Sequence, residues 1–114
     1  MSSSSRQIVR QAAAYIDENY FEDLNLSLLA EKFNMESPYF SRMFRQETGE
    51  NPIFYITRKR IEKARKLIAR SDAILTEIAF LVGYNDYSYF NRVFKKSVGM
   101  SPREYRNVHN GGKT

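Results

Sequence analysis

Apolar residues return at helical spacing along most of the chain, and no stretch alternates convincingly as a strand would. Ile8, Ala12, Ile16 and Tyr20 recur every four residues and predict an opening helix. Leu26, Leu29, Ala30 and Phe33 predict a second, and Phe40, Met43 and Phe44 fall on one side of a third. A long helix from about Ile53 to Arg70 has apolar faces marked by Ile56, Ile61, Ala64, Leu67 and Ile68. Further on, Phe90, Val93 and Phe94 form another inward face, and a short last helix runs through Tyr105. The expected fold is all-α, with about seven helices and short connections.

Part of this pattern occurs twice. Residues 26–52 read LSLLAEKFNMESPYFSRMFRQETGENP, and residues 75–102 read LTEIAFLVGYNDYSYFNRVFKKSVGMSP. Ala30 matches Ala79; after one extra residue in the second copy, Phe40, Arg42, Phe44, Gly49 and Pro52 match Phe90, Arg92, Phe94, Gly99 and Pro102. Each copy reads as helix, tight turn, helix, a duplicated supersecondary unit rather than a solenoid. Asn34 and Gly83 stand at the turn, and these two residue types tolerate a left-handed backbone. Ser37 before Pro38, and Asp86, are the expected caps of the second helices. Gly49 and Gly99 end those helices, and Asn51-Pro52 and Ser101-Pro102 start the next ones.

The chain has 114 residues, 42% hydrophobic and 27% charged, which is a globular composition. The longest apolar run, Ile78 to Val82, is far short of a membrane span. No signal peptide is visible, so a cytoplasmic location is expected. There is no cysteine, hence no disulfide or thiolate site. The net charge of +5 is unevenly spread. Residues 1–50 hold five Lys/Arg against eight Asp/Glu, a net of −3; residues 51–114 hold thirteen against five, a net of +8. The basic half suggests a polyanion partner.

The outward faces of the two second helices sharpen that suggestion. One carries Pro38, Ser41, Arg42, Arg45 and Gln46; the other carries Ser88, Asn91, Arg92, Lys95 and Lys96. Neither has an acidic residue, whereas solvated faces usually mix signs. Arg bonds guanine O6 and N7 together, and Asn does the same with adenine. Arg45, Gln46, Lys95 and Lys96 lie further along, where phosphate is in reach, and Arg58 and Lys59 of the long helix are added as phosphate contacts. At 1.5 Å per residue that helix spans about 27 Å, against roughly 34 Å between successive major-groove faces. The expected partner is double-stranded DNA, read at an asymmetric operator in adjacent major grooves.

Taken together, Ile78-Ala79, Val82-Gly83-Tyr84-Asn85-Asp86-Tyr87-Ser88-Tyr89-Phe90, Arg92-Val93-Phe94-Lys95-Lys96 and Gly99-Met100-Ser101-Pro102-Arg103-Glu104-Tyr105-Arg106 closely resemble the signature of the AraC family of bacterial transcription regulators. Tyr39-Phe40-Ser41-Arg42-Met43-Phe44 and Glu47-Thr48-Gly49 resemble the first unit of its DNA-binding domain. The resemblance, from about Ile8 to Arg106, implies two helix-turn-helix subdomains joined by the long helix. It also implies base contacts from Pro38, Ser41 and Arg42, and from Tyr87, Ser88, Asn91 and Arg92. Pro38 offers only shape or apolar contact and Ser41 is short, so the first unit is expected to read less sequence. Ile61-Glu62-Lys63-Ala64 and the Asn19-Tyr20 helix end are similar to modules at the C-terminus of response regulators. A sensory or receiver domain outside this chain, and RNA polymerase, are the protein partners implied.

The expected organisation is a flexible leader (1–6), a first subdomain (7–52), a linker helix (53–70), a second subdomain (71–107) and a flexible tail (108–114). An enzyme is disfavoured: the single histidine, His109, lies in that tail, and no glycine-rich phosphate loop occurs. No catalytic residue, metal ligand or cofactor is assigned. Asp17, Glu18, Glu22 and Asp23 read as a solvated helix end rather than a cation site. The rival function is a protein-interaction module of the same fold; clean basic outward faces argue against it.

Overall fold

The computed structural model describes residues 2–110. Among them are seven α-helices and no strand: α1 (Ser2–Asn19), α2 (Leu26–Lys32), α3 (Ser37–Thr48), α4 (Pro52–Arg70), α5 (Leu75–Leu81), α6 (Tyr87–Val98) and α7 (Pro102–Asn110). The chain forms two compact units, divided between Lys59 and Arg60, inside α4. The linker helix expected over 53–70 has its residues shared between the two units. Ile56 belongs to the first core, and Ile61, Ala64 and Ile68 belong to the second.

In unit 1, Val9, Ala12 and Ile16 of α1 pack with Leu29 and Ala30 of α2, Phe40, Met43 and Phe44 of α3, and Ile56. Phe33 stacks on Phe40 at 6.1 Å between centroids, and Phe44 meets Tyr55 edge-on at 5.4 Å. In unit 2, the three α4 residues pack with Ile78 and Ala79 of α5, Val82 and Tyr84 of the turn that follows it, Phe90 and Phe94 of α6, and Tyr105 of α7. Val93, expected as a core anchor, is only half-buried at the edge of this cluster.

The helix-to-helix turn is built identically in both units. The Met35 amide donates to the Ala30 carbonyl at 2.9 Å and the Asn34 amide to that of Glu31 at 3.0 Å. The Tyr84 amide donates to Ala79 at 2.9 Å and the Gly83 amide to Phe80 at 3.1 Å. This pair of bonds needs a positive φ at the residue after the C-cap, supplied by Asn34 at 56° and Gly83 at 112°. Ala30 and Ala79, both 1% exposed, have no side chain beyond Cβ to hold the packed helices apart.

Helix starts follow the expected residues with one exception. Asp86 accepts from the Ser88 amide at 2.9 Å, and Asn51 from that of Phe54 at 2.8 Å. Ser101 and Glu104 form a reciprocal capping box, with bonds of 3.1 and 2.8 Å. Hydrogen bonding to its carboxylate from the Ser101 amide, and after that from the Ser101 side chain, holds the Glu104 carboxyl below its usual range. This stabilisation is therefore present above the ordinary glutamate pKa and lost as pH falls through the lowered one. The exception is Ser37, which is already helical. The cap of α3 is Glu36, whose side chain makes no capping bond, and Pro38 in the first turn removes one amide that would need a partner.

Both chain ends are more helical than expected. Residues 2–6, read as a flexible leader, continue α1, where no proline or glycine breaks the helix. Arg6 Nε lies 3.8 Å from a Glu47 carboxylate oxygen. His109, read as part of a flexible tail, lies in α7; its Nδ1 is 2.9 Å from the Tyr105 carbonyl and its ring 4.0 Å from that of Tyr105. The remainder of the expected tail, Gly111 to Thr114, and Met1 of the leader lie outside the described residues.

Candidate nucleic-acid interface

Helices α3 and α6 turn their aromatic anchors inward, which fixes what faces out. Phe40, Phe44, Phe90 and Phe94 are fully buried. On the other side of α3, Pro38, Arg42, Arg45 and Gln46 are exposed and Ser41 is half-buried. On α6, Ser88, Arg92, Lys95 and Lys96 are exposed and Asn91 is half-buried. Position for position the two faces match in exposure. Among the described residues no ion pair engages Arg42, Arg45, Lys95 or Lys96. Helix α3 carries two Arg against one Glu, and α6 carries one Arg and two Lys with no acid, so the charge is +1 against +3.

Three of the residues singled out from the sequence have partners within their own unit. Tyr87 is half-buried, with its ring 5.9 Å from that of Phe90. Arg58 grips Glu50 with two nitrogens, Nε to Oε2 at 2.9 Å and Nη2 to Oε1 at 3.0 Å, and lies over the Tyr55 ring at 5.1 Å. Lys59 Nζ is 3.3 Å from Asp17 Oδ1. The Tyr55 hydroxyl donates to the same Asp17 oxygen at 3.1 Å. Burial, followed by the Asp17 carboxylate, pushes the Tyr55 hydroxyl up to about 12. Both cations are thus engaged inside unit 1 rather than presented beside α3.

Two exposed aromatics were missed. Tyr39 is 60% exposed in the first turn of α3, and Tyr89 is 51% exposed in that of α6. The signal was in the repeat: both copies place Tyr just before the inward Phe, where the core is already filled. Arg92 Cζ lies 5.7 Å from the Tyr89 centroid. Among the described residues no group of three or more His, Cys, Asp or Glu stands close enough to hold a metal, and no helix is long and apolar enough to cross a membrane.

Two matched helix-turn-helix units with basic outward helices define the class to which comparison with known proteins also points. A family model described as a helix-turn-helix domain matches residues 29–107. The chain is 38% identical over 95 residues to the Bacillus subtilis "uncharacterized HTH-type transcriptional regulator YobQ", covering 83% of this chain and 39% of that protein. It is similar to the C-terminal domain of AraT, a response regulator from Geobacillus stearothermophilus, at 41% identity and a TM-score of 0.86, covering 89% and 84% of the two chains. It is also similar to the DNA-binding domain of AdpA, solved in complex with a target DNA, at 26% identity and a TM-score of 0.86, covering 92% and 95%. The chain belongs to the AraC family of helix-turn-helix transcription regulators. It spans well under half the length of the curated relatives it matches.

Proposed function

We propose that this chain is the DNA-binding domain of a bacterial transcription regulator, acting on duplex DNA in the cytoplasm and reading sequence through the outward faces of α3 and α6. The observation that carries this reading is the pair of matched faces, with four cations that no ion pair among the described residues neutralises. Phosphates are the natural counter-charge for such groups. Arg42 and Arg92 are assigned to base edges, with Ser41, Ser88 and Asn91 beside them and Pro38 contributing shape. Arg45, Gln46, Lys95 and Lys96 are assigned to the backbone. Arg58 and Lys59, held by Glu50 and Asp17, and Tyr87, packed on Phe90, are given no DNA contact. The AdpA domain and its target DNA support duplex DNA as the ligand.

The likeness to the end of a response regulator supports a receiver-type domain as partner. Asp17, Glu18, Glu22 and Asp23 are exposed on unit 1 and form the acidic surface assigned to a protein partner such as RNA polymerase. Titration of the chain with a random-sequence duplex at several salt concentrations tests the central claim. Binding is expected at low salt, with log K falling against log[salt] by about 0.9 for each phosphate neutralised. Absence of duplex binding at low salt, or affinity indifferent to salt, rejects it.

A further inference from the structure

In unit 2 the exposed Arg92 is connected to the core by a series of stacked side chains. Its guanidinium lies over Tyr89 at 5.7 Å. Tyr89 leans on Tyr84, with centroids 5.9 Å apart and planes tilted by 53°. Tyr84 is 7% exposed, touches Phe90 at 5.4 Å, and has Arg60 of α4 over its ring at 5.2 Å. Its backbone is pinned by the turn that Gly83 makes. The brace therefore begins at a residue with little freedom and ends at the guanidinium.

Unit 1 lacks this arrangement. The matching positions are Met35, Tyr39 and Arg42. Met35 supplies no ring at the place of Tyr84, and among the described residues neither a ring contact at Tyr39 nor a cation–π contact at Arg42 is formed. The two copies thus present the same arginine, seated on a braced ring in one and not in the other.

We propose that Tyr89 is a positioning residue for base reading: its ring, braced by Tyr84, holds the Arg92 guanidinium in the orientation in which it enters the groove. This rests on the reading of Arg92 as a base contact. An arginine loses rotamer freedom when it makes a bidentate bond, and one already seated on a ring has surrendered part of it beforehand. The guanidinium donors lie in its plane, so contact through its face leaves the fork available to guanine. The ring, not the hydroxyl, is the working part. The effect is a gain in discrimination at one base pair of the unit 2 half-site, a gain that Arg42 does not receive.

The test uses the chain as it stands. A random duplex pool yields the preferred sequence, and duplexes changed one pair at a time then give the preference at every position. Tyr89→Phe is expected to keep every preference. Tyr89→Leu is expected to lower discrimination about two- to five-fold, the scale of an exposed cation–π contact, only at the pair that Arg92→Ala relaxes. In the Arg92→Ala background Tyr89→Leu should change nothing further. Thermal melts of each variant show that unit 2 remains folded. Uniform weakening on all duplexes, a Tyr89→Leu effect that persists without Arg92, or an equal loss in Tyr89→Phe overturns the proposal, because each makes Tyr89 an independent contact. If Arg92→Ala relaxes one pair and Tyr89→Leu relaxes none, the positioning role alone fails. If Arg92→Ala leaves every preference intact, the assignment of Arg92 fails and the positioning role falls with it.

Discussion

Arg58 and Lys96 carry the same charge, yet their surroundings give them different work. Lys96 is exposed at the end of α6, while Arg58 is clasped by Glu50. Lys96→Ala should therefore weaken binding to all duplexes alike and lower the salt slope by about 0.9. Arg58→Ala should leave that slope unchanged and cost unit 1 about 0.5–1 kcal/mol, a value discounted for partial exposure. Salt-dependent binding and urea melts on both variants check this, and a slope that falls in Arg58→Ala would return that residue to the DNA surface. The difference could not be seen along the chain. Helical spacing places a residue on a face of its own helix, and Arg58 and Lys59 do sit on a basic helix. Their partners are set by tertiary folding: Glu50 lies across a helix start and Asp17 on α1. The ring contact of Tyr87 with Phe90 was equally invisible along the chain, because helical spacing names a face and not the tilt of a ring on it.

At the scale of the elements, the signals that were legible are those whose physics is local. The left-handed stops at Gly49 and Gly99, the Asn34 and Gly83 turns, and the Asn51, Asp86 and Ser101 caps each depend on a few consecutive residues. Gly99 gives a clean measure of one such signal. A Cβ there would meet nothing within 4 Å, so Gly99→Ala tests backbone strain without a packing term. At a φ of +94° it should cost about 1–2 kcal/mol, read as a lower urea midpoint with unchanged m-value. A neutral result would mean that this helix end relaxes into another conformation. Helix length was less legible than helix stops. Residues 2–6 and 108–110 lie at the ends, where no breaker stands and periodicity is too short to register. Glu36 stands where Ser37 is the expected α3 cap, a shift of one residue that makes Pro38 the second helical residue; nothing in the local sequence explains it.

For the whole molecule, the duplication was visible in the sequence, but the point of division was not. Packing assigns the residues of α4 to two cores, and a run of helical spacing carries no mark where one core ends and the next begins. The unlike sets proposed to read bases, Pro38, Ser41 and Arg42 against Ser88, Asn91 and Arg92, lead to a prediction about the operator. One chain should occupy a site without two-fold symmetry, whereas a symmetric pair would call for a palindrome. Stoichiometry by ultracentrifugation together with footprinting decides this: one chain per duplex on a non-palindromic site is expected, and two chains on a palindrome reject it. The matched inward residues of the two units bear on the outward ones. Because Ala30 and Ala79, and the Phe40–Phe44 and Phe90–Phe94 pairs, fill equivalent inward positions, the residues at 38, 41 and 46 can trade places with those at 88, 91 and 96 without entering either core. If the proposed reading residues hold, each copy is thereby a donor for the other, and sequence preference becomes a transplantable skin.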